Sequence, residues 1–418
     1  EATAVDGHLL WIPFSSGLVY DTHGLFVQIS LVDQPEVVDR SAEPFSIPED
    51  GDDYFVNDGE AIGDEYTTAL GSNRHTGKSA HAPKPNPVNL LRTYELTSGA
   101  RLFVDAGVYP LIYTVTLTAA TGYDLGQDRG FEMVGPTSAD HTAEFITAIP
   151  NNTNQDLVFL DDADLMRIRH FDLTGGRYAI NATNGSTDLE LEDITAANNT
   201  AHGVYIHGGS NFTDLVDITS LGHGVSHDGV RIVGGNGGTI TNLVTYDNRY
   251  GLYLNNAGQI DIVAAELRDN HEYGLLQHNA NMSGEWNDLV VHGNPAGVWL
   301  EGTFTINNAH VYDNDGTGLF SDQDRHVTVN GGRFHGNNIG IHMERGEIHD
   351  VVVYGNSSEG ILANRHPITL TGATVHSNEY GLHGTAWTGG TWSIRNNLFY
   401  NHSNTALRFT DDGPDGTT

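Results

Sequence analysis

Cysteine is absent from the 418 residues, so no disulfide framework is available and the redox compartment is not written in the chain. Lysine is nearly absent too: Lys78 and Lys84 are the two there are. No apolar run approaches the roughly 18 residues that span a bilayer, and none resembles the core of a signal peptide. Positive charge is scarce, with 19 Lys plus Arg against 54 Asp plus Glu and a net charge of −35. A field of that sign repels nucleic acid and anionic membranes, so neither is expected as a partner. It keeps a protein soluble where salt shortens the Debye length to roughly 3 Å at 1 M, which fits a marine or saline exterior. The chain opens at Glu1 without an initiator methionine and is read as a mature form or a piece of a larger multidomain protein.

Glycine is plentiful, at 50 residues, and it recurs with a period. The tetrad Gly-(Val/Leu/Ile)-x-(Leu/Ile or similar) begins at Gly203, Gly229, Gly251, Gly274, Gly297, Gly318, Gly340, Gly360 and Gly381, at intervals of 26, 22, 23, 23, 21, 22, 20 and 21 residues. Length alone would suggest two or three domains. A repeat removes that ceiling, because coils can be added one at a time. Each tetrad follows a turn rich in Asn, Asp and Gly, such as Asp247-Asn248, Asp269-Asn270, Asp313-Asn314 or Asn337-Asn338. These residues tolerate left-handed backbone. A second apolar stretch, Ile260-Asp261-Ile262 or Val327-Thr328-Val329, lies between tetrad and turn. Helical spacing is missing, and so is the Asn/Cys-Leu ladder of a leucine-rich repeat. Two or three short strands per coil predict an all-β parallel β-helix, with Val204, Val230, Leu252, Leu275, Val298, Leu319, Ile341, Ile361 and Leu382 stacked inside.

The boundaries follow from the texture of the text. Residues 1–50, with apolar runs at Leu9–Phe14 and Gly24–Val32, form a β-rich lead-in or arm. Residues 51–150 are a cap and the first coils, 151–410 the regular coils, and 411–418 a tail. Asn86-Pro87 followed by Val88, Leu90, Leu91 and Tyr94 predicts a short capping helix that ends by Gly99. Such a helix closes a solenoid end whose free backbone would otherwise invite edge pairing. No cap is legible after the strand at Ala406–Phe409, so further coils or a cap are expected downstream in the parent protein.

Two stretches resemble the pectate-lyase-like superfamily of right-handed parallel β-helix proteins. One is Tyr54-Phe55-Val56-Asn57-Asp58-Gly59 with Gly71-Ser72-Asn73, Gly77-Lys78-Ser79, Pro83 and Gly107-Val108-Tyr109, similar to the N-terminal cap of secreted polysaccharide-active β-helices. The other is the coil text, such as Asp247-Asn248-Arg249-Tyr250-Gly251-Leu252, which resembles mannuronan C5-epimerases and alginate lyases. Together they cover residues 54–410. The resemblance implies a secreted or cell-surface protein acting on a long polysaccharide. The epimerases' Asp-Pro-His-Glu motif is missing, and no Lys in the coils could serve as the base that lyases of this fold often use. Similar coils also occur in very large surface proteins.

Within each tetrad, positions two and four after the glycine should face outward. The first column reads Tyr205, Arg231, Tyr253, Leu276, Trp299, Phe320, His342, Leu362, His383; the second reads His207, Val233, Asn255, His278, Glu301, Asp322, Glu344, Asn364, Thr385. Tyr205, Trp299, Phe320 and His342 are candidate sugar platforms, or else a stack that stabilises the sheet. His207, Arg231, Tyr253 and His278 are candidate catalytic residues. Lyase or epimerase chemistry on a uronan needs a cation for the carboxylate, a base for the C5 proton and an acid opposite. Arg231 suits the first role, and Tyr253 with His278 or His207 the others. Glu301, Asp322 and Glu344 could supply a hydrolase pair, or ligate Ca²⁺, or simply form a solvated acidic face. No organic cofactor is implied.

Three local patterns carry no chemistry as sequence. Ser226-His227-Asp228 cannot relay a proton along one strand, since neighbours point to opposite sides. Gly234-Gly235-Asn236-Gly237-Gly238 lacks the Asp of a calcium-binding repeat. His271-Glu272 lacks the second His of a zinc protease. The preferred expectation is an extracellular carbohydrate-active enzyme of lyase or epimerase type. A glycoside hydrolase and a non-catalytic stalk or adhesion segment are the alternatives.

Overall fold

The computed structural model describes residues 52–410 except 95, 97–98, 119–129, 150–153, 323–324 and 387–390, together with the backbone of four short strands between 22 and 47. The regular coil has three strands. In one coil, Gln259–Ile262 and Ala265–Arg268 belong to a 24-stranded sheet and Tyr273–His278 to a 13-stranded one. Each strand pairs in parallel with its counterpart one coil on, as in Ala265↔Leu289 and Leu275↔Val298. This is the right-handed parallel β-helix expected from the repeat. The nine inward tetrad residues are all in the core, and Val298, the least enclosed, is 2% exposed.

The turn before each tetrad does more than tolerate left-handed backbone. Asp247, Asp269, Gly293, Asp313, Gly336, Gly355 and Ser377 all have positive φ, between 52° and 68°. Each turns the following asparagine inward, and Asn248, Asn270, Asn294, Asn314, Asn337, Asn356 and Asn378 form one buried ladder. Every rung donates from Nδ2 to the next Oδ1, as Asn294 does to Asn314 at 3.0 Å and Asn314 to Asn337 at 2.9 Å. The tetrad glycine is required by space: a Cβ on Gly318 would lie 2.7 Å from the Gly340 carbonyl and 2.9 Å from Asn337 Nδ2. His223 stands in for an asparagine between Asn199 and Asn248, its Nδ1 accepting the Asn199 N–H at 3.1 Å and its own N–H donating to Asn248 Oδ1 at 3.2 Å. Asn314→Ala should cost about 2–3 kcal/mol, since it strands the buried Asn294 amide and the Val291 carbonyl. Chemical denaturation compared with a surface change such as Asn338→Ala would measure this.

Asn86 is extended and its Oδ1 accepts the Asn89 N–H at 2.9 Å, capping the helix Pro87–Leu91. The helix stops well short of Gly99, because the Thr93 and Tyr94 amides both turn back onto the Leu90 carbonyl. In the lead-in, Thr22–Leu25 pairs antiparallel with Phe45–Ile47 and Gln28–Leu31 with Gln34–Arg40. The run Leu9–Phe14 and the tail 411–418 lie outside the described residues. Among the described residues no helix is long and apolar enough to cross a membrane. On the larger sheet, His292, Tyr312, His335, Tyr354, His376 and Tyr400 stack coil upon coil with centroids 4.6–5.2 Å apart.

Candidate functional site

The smaller sheet sets the outward column in the expected register: Tyr205↔Arg231↔Tyr253↔Leu276↔Trp299↔Phe320↔His342. The column is half-buried rather than open. Each side chain leans on the residue that precedes a tetrad glycine. His202 meets Tyr205 at 5.2 Å, Tyr250 meets Tyr253 at 5.8 Å, and Asp228 meets Arg231. Rings run on through Tyr273 to Trp299 (5.9 Å), Phe320 (4.4 Å) and His342 (4.4 Å).

Asp228, fully buried, organises the centre. Its Oδ2 takes Arg231 Nη1 at 2.6 Å and its Oδ1 takes Arg249 Nε at 3.1 Å. Burial pushes its carboxyl up while the two arginines pull it down. The guanidinium of Arg231 lies 4.0 Å over the Tyr253 ring, and that of Arg249 4.0 Å over Tyr250. One buried carboxylate thus holds two guanidiniums, and the Glu272 carboxylate acts on Tyr250, the ring beneath Arg249. The Asp228 N–H donates to His202 Nδ1 at 2.8 Å, so the neutral imidazole carries its proton on Nε2. Burial first, then Arg231, drives the His202 pKa down to about 3, and the ring stays neutral at working pH.

Of the four expected catalytic residues, Arg231 and Tyr253 meet here. Tyr253 Oη accepts from Asn255 Nδ2 at 3.1 Å. His207 lies two coils from Tyr253, stacked on Tyr205 at 4.0 Å, with Nε2 held by Asn181 Oδ1 at 3.0 Å. His278 belongs to a different group: its Nδ1 is 2.7 Å from Glu301 Oε1. The acidic column also differs from expectation. Glu301 is mostly buried and occupied by His278 and the Asn279 amide, while Glu344 is held by Arg365 Nη1 at 2.7 Å. The Glu344 carboxyl is pushed up, chiefly by burial, and shares a hydrogen bond with Asp322. Among the described residues no group of three or more His, Cys, Asp or Glu side chains is placed to hold a metal ion.

Asp228, Arg249 and His202 are not singled out as site residues by the sequence, because they lie outside the two columns considered and Asp228 is weighed only within the dismissed Ser226-His227-Asp228 run. The signal was there: Asp and Arg one coil apart, at a spacing of 21, occur as Asp228/Arg249 and again as Asp156/Arg177. The strip runs as a track along successive coils. On the other sheet, one hollow of about 420 Å³ is lined by Asp288, His310, Arg333 and Asp350.

Residues 210–357 match the family described as periplasmic copper-binding protein (NosD). No curated protein matches the chain. Among solved structures it is similar to the A-module of a mannuronan C-5 epimerase from Azotobacter vinelandii, at 15% identity over 76% of this chain and 90% of that one, with a TM-score of 0.46. It is also similar to a rhamnogalacturonan lyase, at 12% identity over 88% and 89%, with a TM-score of 0.48. A lacto-N-biosidase from Eubacterium ramulus is 10% identical over 86% of this chain and 67% of that one, with a TM-score of 0.36. At such identities nothing about the reaction follows from any of them.

Proposed function

We propose that the chain is an exported carbohydrate-active protein that binds an acidic polysaccharide along the ring-lined strip and acts on it by lyase or epimerase chemistry. The observation behind this is the pair of guanidiniums, Arg231 and Arg249, held on one buried carboxylate and set among aromatic faces in a protein of net charge −35. Rings offer platforms to sugars, and the local cation lets a uronate approach against the overall field. A track along successive coils suits an extended polymer better than a small ligand.

The roles divide by chemistry. Arg231 and Arg249 take the uronate carboxylate, and neutralising it makes the C5 proton easier to remove. His202, neutral and carrying its proton on Nε2, is a hydrogen-bond donor and not the base. Tyr253, with its phenol oxygen already accepting from Asn255 and a guanidinium over its ring, is the best-placed proton acceptor.

The test is incubation with a panel of uronans and neutral algal glycans, following unsaturated ends by ultraviolet absorbance, inversion at C5 by NMR, and reducing ends chemically. Turnover of a uronan that is lost in Arg231→Ala, with Glu301→Gln unaffected, is the expected result. Reducing ends from a neutral glycan, sensitive to Glu301→Gln or Asp322→Asn, would instead make it a hydrolase. No turnover and no binding by any variant would leave the stalk or adhesion role.

A further inference from the structure

The dipeptide Arg-Tyr occurs twice in the coils, at Arg177-Tyr178 and Arg249-Tyr250, each time just before the tetrad position. The surroundings repeat as well. Arg177 lies 4.7 Å over the Tyr178 ring, as Arg249 lies 4.0 Å over Tyr250. Arg177 grips Asp156 with two bonds, Nε to Oδ1 at 2.6 Å and Nη2 to Oδ2 at 2.8 Å. Asp156 is 4% exposed, and like Asp228 it takes a second partner from the outward column, Asn181 Nδ2 at 2.8 Å. The second partner is the difference. Asn181 is neutral where Arg231 is charged, so Asp156 holds one guanidinium and Asp228 holds two.

The two units lie on one line. Val158 pairs with Ile180, Ile180 with Val204 and Val204 with Val230, which puts Asp156 and Asp228 three coils apart. At about 4.8 Å per coil the separation is about 14 Å. The gap is bridged without a break: Tyr178 meets Tyr205 at 5.5 Å, Tyr205 stacks on His207, and Arg231 lies 5.9 Å from Tyr205.

We propose that Asp156, Arg177 and Tyr178 form a second sugar subsite, specific for an uncharged unit or for hydroxyls alone, that works together with the uronate subsite at Asp228. This rests on the polysaccharide function proposed above. Asp156, buried, holds Arg177 in place, and the partly exposed guanidinium offers donors to sugar hydroxyls beside the Tyr178 ring. With its one guanidinium matched by Asp156, the unit gains nothing from a second carboxylate. A ligand must span about three coils to reach both subsites, so affinity should rise in a step once an oligosaccharide is long enough.

The experiment measures binding of a size-graded series of uronate oligosaccharides by calorimetry to wild type, Tyr178→Ala and Arg177→Ala. Tyr178→Ala leaves the Asp156 ion pair intact and guards against misfolding in Arg177→Ala. The expected result is a step in wild-type affinity at intermediate length, and about a tenfold loss for long oligosaccharides in both variants with short ones unchanged. Smooth length dependence in wild type, or equal losses for short and long ligands, would overturn the second subsite and leave the uronate site standing. Failure of wild type to bind any member would sink both.

Discussion

Asp228→Ala should be the most damaging single substitution on the strip, costing about 3–5 kcal/mol of stability and abolishing any uronan turnover. The carboxylate has no contact with solvent and holds two guanidiniums that are themselves half-buried. Without it, two positive charges face each other across a low-dielectric gap with neither partner nor full hydration. Asp228→Asn keeps the shape and one acceptor, and should fall between wild type and alanine. The double replacement Arg231→Met, Arg249→Met, made in the Asp228→Ala background, should restore much of the stability but none of the turnover. Urea denaturation of the four proteins measures the first part, and the uronan assay the second. A loss below about 1 kcal/mol for Asp228→Ala would mean that the arginines are solvated and the centre is not the rigid unit described.

Acid should destabilise the protein well before its carboxylates titrate. His202 is held down to about 3 and His223 to about 4, both by burial first. In the unfolded chain each returns to about 6.5. As the pH falls below that value, the unfolded state takes up two protons that the folded state refuses. Stability is therefore lost from about pH 6.5 downward, at up to about 1.4 kcal/mol per pH unit per histidine. The raised carboxyls of Asp228 and Glu344 act in the opposite sense and flatten the loss at lower pH. Glu65, lowered to about 2, takes stability away again once the pH drops through the carboxylate range. His223→Asn supplies a clean control, because asparagine is what the rest of the ladder uses at that place. It should make the slope between pH 6.5 and 4.5 shallower in a series of thermal melts, the other lowered histidines keeping the remainder. An unchanged slope would show that His223 takes up its proton in the folded state.

Inward residues were legible from sequence because strand alternation is a two-state choice, and the valines and leucines after each tetrad glycine leave only one register that buries them all. The outward columns were legible for the same reason, down to which residue stands beside which. What they touch was not. A column is a line along the axis, but the Asp228 centre is built across columns: the residue before the glycine, the residue two after it, and one from the next coil. Asp228 looks like any other acidic turn residue among 54 Asp and Glu until Arg249 is placed one coil away. The carboxylates show the same gap. Glu301, Asp322 and Glu344 share a column, but the column does not tell that His278 sits against Glu301 and Arg365 against Glu344. Several histidines serve the scaffold, which the sequence did not reveal. His223 is a rung of the ladder, and His292, His335 and His376 are members of a ring stack on the other sheet.

The asparagine ladder has one further consequence. Tetrads from Gly203 to Gly381 are separated by anything from 20 to 26 residues, yet the rungs from Asn248 to Asn378 stay in step. All the slack is therefore taken up in the bends, away from the spine. A coil can gain or lose several residues at a bend without disturbing the alignment of its outward side chains with those above and below. Such a molecule resembles a line of type set against a fixed rule, in which each coil contributes a few interchangeable characters at a constant pitch. The face can then be rewritten for a different polymer one coil at a time, while the spine that keeps the characters aligned is left untouched.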